Sequence, residues 1–274
     1  STVTPTAVSD ADPEEFTVAG FNLFRFFDTI NDPAISEPVL TATALNNRLG
    51  KTAEAICSYL KTPDIIGVVE VENIGVLTQL ADTINAGQVP TGNAVPACNT
   101  APGYVPYLVE GNDVGGIDVG FLVSSKIVSG ATPRVEVLEV VQENDDELLV
   151  NPDSSTSILN DRPTLRLQAV IHHPNGNSYP VTVMINHLRS LGSVNSTAPE
   201  GNGWASEGHR VRAKRLKQAE SVAALVNARQ LANPDEKIIL LGDFNAFEFN
   251  DGFTDSMGII TGQEVPASEV TLHS

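Results

Sequence analysis

Short apolar runs that end in polar side chains are the feature that most constrains this chain. The run Lys237-Ile-Ile-Leu-Leu241 is followed directly by Gly242-Asp-Phe-Asn245. Its length and β-branched content predict a buried strand rather than a helix. Because Asp243 and Asn245 are two positions apart, their side chains share one face at the carboxyl end of that strand.

Two other tracts repeat this arrangement. The strand-like run Val181–Asn186 leads into His187-Leu-Arg-Ser190, and the run Asp64–Glu70 ends in a carboxylate. Strands that each end in a metal-ligand or acid-base residue predict one converging site, of the kind that hydrolytic phosphate chemistry needs. Alternation along a strand places Glu70 and Glu72 on the same face, so either is a candidate ligand.

Each of these residues also has a structural interpretation. Asp243 and Asn245 are common turn residues, since their side chains bond to their own backbone. His187 could be a packed residue, Asn22 could start a turn, and Arg162 could form a surface ion pair with Asp161, which contributes little. An EF-hand is excluded, because Glu248 stands where the calcium loop requires glycine.

The charge balance bears on the substrate. The chain has 274 residues, with 34 Asp and Glu against 16 Lys and Arg, and a net charge of −18. Nucleic-acid binders usually show the reverse balance, which argues against tight non-specific binding. A nuclease is not excluded, because a divalent cation and a few arginines can hold one phosphate. No apolar run approaches the roughly 20 residues of a membrane span.

The two cysteines, Cys57 and Cys98, have no metal-binding spacing. They form either one disulfide or two buried thiols. The low cysteine and lysine content and the absence of an initial methionine favour a processed, secreted protein with a disulfide.

The chain reads as one α/β domain without repeats. Residues 1–15 are polar and predict a tail, and residues 142–161 predict an acidic loop. We expect helices over 36–60, with Ser36 as N-cap, over 75–86, and over 206–231, with Ser206 as N-cap. We expect strands at 16–22, 64–70, 104–109, 117–123, 134–141, 164–172, 179–186 and 237–242.

Together these motifs resemble the endonuclease/exonuclease/phosphatase superfamily, which includes pancreatic deoxyribonuclease, and more narrowly its bacterial secreted nucleases. The matching stretches span residues 16 to about 250 and are, in order, Phe21-Asn-Leu23, Val69-Glu-Val-Glu-Asn73, Ile117-Asp-Val-Gly-Phe-Leu122, Asp161-Arg-Pro163, Asn186-His-Leu-Arg-Ser190, Arg215-Leu-Lys-Gln-Ala219 and Gly242-Asp-Phe-Asn-Ala246. The resemblance implies two mainly antiparallel sheets packed as a sandwich and flanked by helices.

The resemblance also implies roles for individual residues. Glu70 would be the principal carboxylate for Mg²⁺, Mn²⁺ or Ca²⁺, and Asn22 would support the metal or the scissile phosphate. Arg162 would bind phosphate, with Arg189 as a further substrate contact. Asp243 would orient or activate water, Asn245 would hold the phosphate, and His187 would stabilise the phosphate or transfer a proton.

One departure concerns the end of the chain. Members of the superfamily carry an Asp-His pair on a late strand, whereas His273 has no preceding Asp and follows Asp243 too closely. We therefore interpret His273 as incidental and expect residues 16–274 to form an incomplete domain. A second chain or a C-terminal segment would supply the last strands and the Asp-His pair.

Three functions follow as hypotheses. The first is a secreted, metal-dependent phosphodiesterase, with DNA or RNA as the most favoured substrate. The second is a phosphatase or phospholipase that acts on small phosphorylated molecules or lipid head groups. The third is a binding module whose catalytic site has decayed. The sequence does not distinguish endonuclease from exonuclease action.

Overall fold

The computed structural model describes residues 5–35, 37–98, 100–250 and 252–270. Twelve strands and four α-helices lie within this part of the chain. The strands are β1 (Val18–Phe26), β2 (Ile65–Val71), β3 (Tyr104–Leu108), β4 (Asp118–Ser124), β5 (Ile127–Ser129), β6 (Thr132–Pro133), β7 (Val135–Glu143), β8 (Leu148–Val150), β9 (Thr156–Ile158), β10 (Thr164–His172), β11 (Ser178–His187) and β12 (Ile238–Asp243). The helices are α1 (Ala42–Glu54), α2 (Ile74–Ala86), α3 (Glu207–Ala232) and α4 (Ser256–Thr261).

Two four-stranded sheets form the body, as the sequence predicts. The first has the order β1-β2-β4-β3 and the second has the order β12-β11-β10-β7. Each sheet contains one parallel pair, β1 with β2 and β11 with β12, and two antiparallel pairs. Parallel strands end at the same edge of a sheet, so each sheet places two carboxyl ends side by side.

The core has two layers because β2 is apolar on both faces. Ile66 and Val68 pack toward α1 and α2, in a cluster that includes Leu49, Leu77 and Leu80. Ile65 and Val69 face the second sheet, in a cluster that includes Leu165, Val183 and Ile185. Continuous apolar runs of this kind are expected for strands covered on both sides.

The first helix differs from its predicted bounds. It begins at Ala42, where the Thr41 hydroxyl accepts a hydrogen bond from the backbone N–H of Ala44, and ends at Glu54. A π-helical turn, Ala55–Tyr59, follows it. The predicted N-cap, Ser36, lies outside the described residues. The predicted Ser206 cap of α3 is confirmed, because its hydroxyl accepts from the backbone N–H of His209.

Several short elements were not predicted. The predicted loop 142–161 contains the hairpin of β8 and β9, and the hairpin of β5 and β6 precedes β7. Strands of two or three residues are too short to show a period in sequence, which explains why the pattern missed them. In the described ranges, no helix is both long enough and apolar enough to cross a membrane.

The disulfide between Cys57 and Cys98 is present, with a Cα–Cα distance of 5.1 Å. Cys57 lies in the π-helical turn and Cys98 in the 3₁₀ turn Pro96–Cys98, and both side chains are buried. The bond therefore ties the end of the α1 segment to the loop that follows α2.

Replacing both cysteines by alanine should lower the free energy of unfolding by about 3–4 kcal/mol, because the bond closes a long loop in the unfolded chain. Urea unfolding of the oxidised protein and of the Cys57→Ala/Cys98→Ala variant measures this difference. Reduced wild-type protein is the control and should unfold near the same urea concentration as the variant. Equal stability of the oxidised protein and the variant would contradict the prediction.

Candidate metal centre

The carboxyl ends of β1, β2, β11 and β12 meet at one end of the sandwich. Glu70, His187 and Asp243 each offer a ligand atom there, and these atoms all lie within 4.8 Å of one another. Glu70 comes from the first sheet, whereas His187 and Asp243 are paired across β11 and β12 of the second. The structure therefore brings the three strand ends together, as the sequence predicts.

Close approach of strands, both within the second sheet and between the two sheets, makes this convergence possible. A Cβ on Gly242 would lie 2.0 Å from the backbone oxygen of Asn186, and Gly242 has a φ of +125°. A Cβ on Gly67 would lie 2.2 Å from the Leu241 side chain. No other residue type fits either position without moving its neighbours, so the glycines allow β12 to lie close to its partners.

Asn22 links the two carboxylates. Its Nδ2 donates to Glu70 Oε1 at 2.9 Å and to Asp243 Oδ2 at 3.2 Å. Its Oδ1 accepts from the backbone N–H of Phe24 at 2.7 Å. In this orientation the amide positions the carboxylates, and direct ligation through Oδ1 would require the amide to turn over.

A bulge aims Glu70 at the centre. Glu70 has a φ of +60°, and the pairing of β2 with β4 shifts register between Val69 and Val71. The bulge breaks strict alternation, so Glu70 and Glu72 do not share a face, contrary to our expectation. Glu72 is buried and instead accepts a hydrogen bond from the backbone N–H of Asp28. Glu70 is therefore the carboxylate at the centre.

A second bulge supports Glu70 from β1. The register of β1 with β2 shifts between Asn22 and Phe26, and both Phe24 and Arg25 have a φ of +56°. The backbone N–H of Arg25 donates to Glu70 Oε2 at 3.0 Å. The Arg48 guanidinium donates to the carbonyl oxygens of Leu23, Phe24 and Arg25 and so holds the bulge in place.

His187 is buried, and its Nδ1 has no hydrogen-bond partner in the described structure. Burial, helped by the nearby Arg162 cation and opposed by Asp243, lowers the pKa of His187 to about 3. The ring is therefore neutral near pH 7, the form that binds a metal or accepts a proton. A buried, neutral imidazole with a ring nitrogen within 4.8 Å of two carboxylate oxygens fits a cation site.

The Asp243–Asn245 turn is fixed at both ends. The backbone N–H of Asn245 donates to Asp243 Oδ1 at 2.9 Å, and its Nδ2 donates to the carbonyl oxygen of Leu188 at 3.0 Å. The backbone N–H of Leu188 donates to the carbonyl oxygen of Asp243 at 3.0 Å. Asp243 and Asn245 therefore form a local turn and also lie at the candidate site.

Arg162 contacts the site from behind. Its Nε donates to the carbonyl oxygen of His187 at 3.1 Å, its Nη2 donates to that of Leu188 at 3.3 Å, and its Nη1 pairs with Asp113 at 2.5 Å. The alternative pairing with Asp161 is wrong, because Asp161 pairs with Lys214 at 2.7 Å. With three nitrogens engaged, Arg162 positions the strand end, and phosphate binding by it stays a prediction.

Arg189 is half-buried beside this group. Its backbone N–H donates to Gln218 Oε1 at 2.8 Å, and its carbonyl oxygen accepts from Arg215. Its side chain has no recorded ion pair within the described ranges, which leaves a guanidinium for phosphate. His273, the late histidine of the sequence, lies outside the described residues.

Sequence reasoning missed the side chains that hold the loops. Arg215, which is 1% exposed, donates to the carbonyl oxygens of Arg189 and Asn245 and so joins the loops after β11 and β12. Gln218, one turn further along α3, joins Arg189 to Leu159. A buried arginine on an otherwise amphipathic helix was the available signal, since charged side chains are rarely buried unless they are paired.

No protein-family model matches the sequence, and a search of curated proteins gives no match. Among solved structures, the chain is similar to truncated TDP2 of Caenorhabditis elegans, at 18% identity, with 76% of this chain and 63% of that chain covered and a TM-score of 0.41. It is also similar to ANGEL2, titled a 2′,3′-cyclic phosphatase, at 14% identity, with coverages of 80% and 52% and a TM-score of 0.38.

The chain therefore spans less than two thirds of either of these structures. Both TM-scores are below 0.5, so neither likeness bears on the chemistry of this chain.

Glu70→Gln should weaken Mn²⁺ binding by at least roughly 10- to 100-fold. That is the usual loss when a residue that only orients a metal ligand is removed, and Glu70 is proposed to be a ligand itself. The substitution keeps the shape of the side chain and removes its charge. Isothermal titration with Mn²⁺ measures the affinity. Glu72→Gln, one residue beyond the end of β2, is the matched control and should bind Mn²⁺ like the wild type. Equal affinities of all three proteins would remove Glu70 from the site.

Asp118 should make stability depend on pH. Its carboxyl is buried at the start of β4 and accepts from the backbone N–H of Gly111 at 2.8 Å. Burial, with Glu110 beside it, raises the pKa of Asp118 to about 8. The folded protein thus holds a proton that the unfolded chain releases near pH 4. The contribution of the protonated Asp118 carboxyl to the free energy of unfolding is fully present below that pH and is lost as pH rises through about 8.

Asp118→Asn keeps a neutral side chain and should flatten this part of the stability curve. Urea unfolding of wild type and variant between pH 5 and about 9 measures the difference. Asp82→Asn, at an exposed position on α2, is the control and should leave the curve unchanged. Parallel curves for wild type and Asp118→Asn would contradict the prediction.

Proposed function

We propose that this chain is a secreted, divalent-metal-dependent phosphodiesterase, and more specifically a DNA/RNA nuclease. The observation that carries the proposal is the group of Glu70, His187 and Asp243, whose ligand atoms lie within 4.8 Å of one another at the carboxyl ends of strands from both sheets. The two carboxylates suit a hard divalent cation, which prefers oxygen ligands and keeps several waters. We propose Mg²⁺ as the cofactor, with Mn²⁺ or Ca²⁺ as substitutes.

A bound cation would polarise a phosphoryl oxygen and offset the negative charge that develops on it. Glu70 is the proposed principal ligand, supported by the amide of Asn22. Asp243 orients or activates the attacking water. The neutral His187 ring stabilises the phosphate or takes a proton, and general acid-base help of this kind contributes typically 10²–10⁴-fold.

The phosphate would be held by donors around the same end of the sandwich. Asn245 and Arg189 are the proposed contacts, because Asn245 is fixed beside Asp243 and the Arg189 side chain has no recorded ion pair within the described ranges. Arg162 retains a proposed role in phosphate binding, exerted from its position behind His187 and Leu188.

Secretion is proposed from the disulfide. Disulfides persist in oxidising compartments and are rare in the cytosol. The Cys57–Cys98 bond is buried and joins two turns, as a structural bond does. The acidic surface charge agrees with solubility outside the cell.

We also propose that a further segment or a second polypeptide completes the sandwich. Within the described residues, β1 and β12 each pair with one neighbour only, so both sheets have an open edge beside the site. Unpaired strand edges recruit additional strands. The added strands would supply the Asp-His pair that the superfamily resemblance implies.

Residues 1–274 should hydrolyse phosphodiesters only when a divalent cation is added, and EDTA or Glu70→Gln should abolish the activity. The assay compares plasmid DNA, single-stranded DNA, RNA, small phosphodiesters, phosphomonoesters and phospholipids with Mg²⁺, Mn²⁺ and Ca²⁺. His187→Gln should lower kcat by roughly 10²–10⁴-fold. His172→Gln is the matched control, since His172 pairs with Glu136 at the opposite end of the second sheet.

The outcomes separate the proposals. Cleavage of monoesters or phospholipids alone would show that the protein is a phosphatase or phospholipase and not a nuclease. Activity that rises on addition of the C-terminal segment would support completion of the fold, whereas full activity of residues 1–274 would refute it. Metal binding without hydrolysis of any substrate, with or without the added segment, would leave a binding module.

A further inference from the structure

Three large aromatic side chains lie exposed next to the metal centre. Phe24 follows Asn22 and is 77% exposed, and Phe247 and Phe249 follow Asn245 and are 49% and 60% exposed. Single exposed apolar residues are normal on a protein surface. Three phenylalanines within a few residues of one polar site form a pattern that packing does not explain, and such groups mark interaction sites.

Phe24 is held outward at a cost in backbone strain. A φ of +56° is rare for a bulky residue, and two such residues in sequence, Phe24 and Arg25, are rarer. Conformations of this kind are unfavourable for such residues and persist only where the surroundings fix them. Arg48 provides that constraint through the carbonyls of the bulge, and Asn22 accepts from the Phe24 N–H. The exposed position of the Phe24 ring is therefore fixed by these backbone contacts.

Phe247 and Phe249 stack on each other in the segment that follows the Asp243–Asn245 turn. Their rings are parallel, with an interplanar angle of 5° and centroids 5.0 Å apart. The pair follows β12, whereas Phe24 lies in the bulge of β1. We call Phe24 and the Phe247–Phe249 pair the two aromatic platforms. Aromatic faces prefer to stack on other flat π systems.

The charge of the protein indicates which nucleic acid the platforms suit. Binding to duplex DNA depends on many phosphate contacts from lysine and arginine. Here the net charge is −18, and several cations near the site are engaged: Arg162 pairs with Asp113, Lys214 pairs with Asp161, and Arg48 binds carbonyl oxygens. Stacking on aromatic side chains needs no such array, and every unpaired base offers a π face.

We propose that the two platforms stack unpaired nucleobases on either side of the scissile phosphate, so that single-stranded DNA or RNA is the preferred substrate class. The inference rests on the proposed nuclease function and adds the class of nucleic acid. Bases in a duplex are already stacked on their neighbours and cannot reach the rings without being flipped out.

Binding experiments with Glu70→Gln protein, which should not cleave, test the proposal. The probes are a fluorescein-labelled single strand, the duplex of the same sequence, and an abasic strand of the same length, which keeps the phosphates and lacks the bases. Fluorescence anisotropy should show tighter binding to the base-containing single strand than to the other two. Its affinity should depend weakly on salt, because few phosphate contacts contribute.

Phe24→Ala, Phe247→Ala and Phe249→Ala should each weaken binding of the base-containing strand by roughly 5- to 150-fold, the measured range for loss of one stacking partner. Binding of the abasic strand should not change. Phe24→Leu keeps an apolar side chain of similar bulk and should lose affinity as Phe24→Ala does. Leu138→Ala removes a side chain that is 60% exposed on β7 and is the matched control, with unchanged affinity.

Equal affinity for the base-containing and abasic strands, or phenylalanine variants that bind like Leu138→Ala, would overturn the proposal. Tighter binding of the duplex would overturn the preference for single strands. Failure of the proposed function gives a different result, because the wild type would then cleave no nucleic acid with any divalent cation. Base-dependent binding of the Glu70→Gln protein would survive that failure and would still support stacking.

Discussion

The close contact between the two sheets at their glycines is the constraint on which the site depends. Gly67 on β2 lies against the Leu241 side chain. A Cβ on Gly20 of β1 would lie 3.6 Å from the backbone nitrogen of Gly242. A side chain at Gly67 would have to displace the ends of the Leu241 and Ile185 side chains of the second sheet, whereas a Cβ at Gly20 would make an ordinary contact. Glu70 comes from one sheet and Asp243 from the other, so any separation would move the two carboxylates apart. The metal centre is thus a property of the sandwich and not of a single loop.

Holding the two carboxylates together raises an electrostatic problem that the described side chains solve only in part. The Asn22 amide donates to both, and the Arg25 N–H donates to Glu70. Amide donors reduce the repulsion but carry no net charge. The neighbouring His187 ring is neutral near pH 7, so it does not balance them either. The positive charge on Arg48 acts on Glu70, and a divalent cation bound between the carboxylates would balance the remaining negative charge.

Much of the fold and the positions of the site residues could be predicted from sequence. The long strands and the helix α3 were predicted to within a few residues, because their apolar periodicity is strong. The polar ends of β2, β11 and β12 then placed Glu70, His187 and Asp243 at one edge. What sequence patterns missed depends on single-residue events. The bulge at Glu70 reverses the expected face of Glu72, and nothing in the sequence Val69-Glu-Val71 signals a φ of +60°.

The partners of charged side chains were also out of reach of sequence. Arg162 is adjacent to Asp161 in sequence, yet it pairs with Asp113, and Asp161 pairs with Lys214 on α3. Arg48 and Arg215 bind loop carbonyls from helices distant in sequence. These contacts arise from tertiary packing, which brings together residues tens of positions apart. Periodicity reports only which face of an element is buried.

These partnerships bear on how an acidic protein could engage nucleic acid. Arginines that nucleic-acid binders commonly place on the surface here fix the loops of the site from within: Arg48 holds the β1 bulge, Arg162 the end of β11, and Arg215 the turns after β11 and β12. Their charges are largely engaged by protein oxygens, which gives rigid loops at the expense of phosphate contacts. Affinity must then come from a bound cation and from contacts that do not depend on charge. The exposed rings of Phe24, Phe247 and Phe249 lie on the segments that Arg48 and Arg215 hold. These arginines bind protein carbonyls and not phosphate, and by fixing the segments they would make stacking on the rings possible.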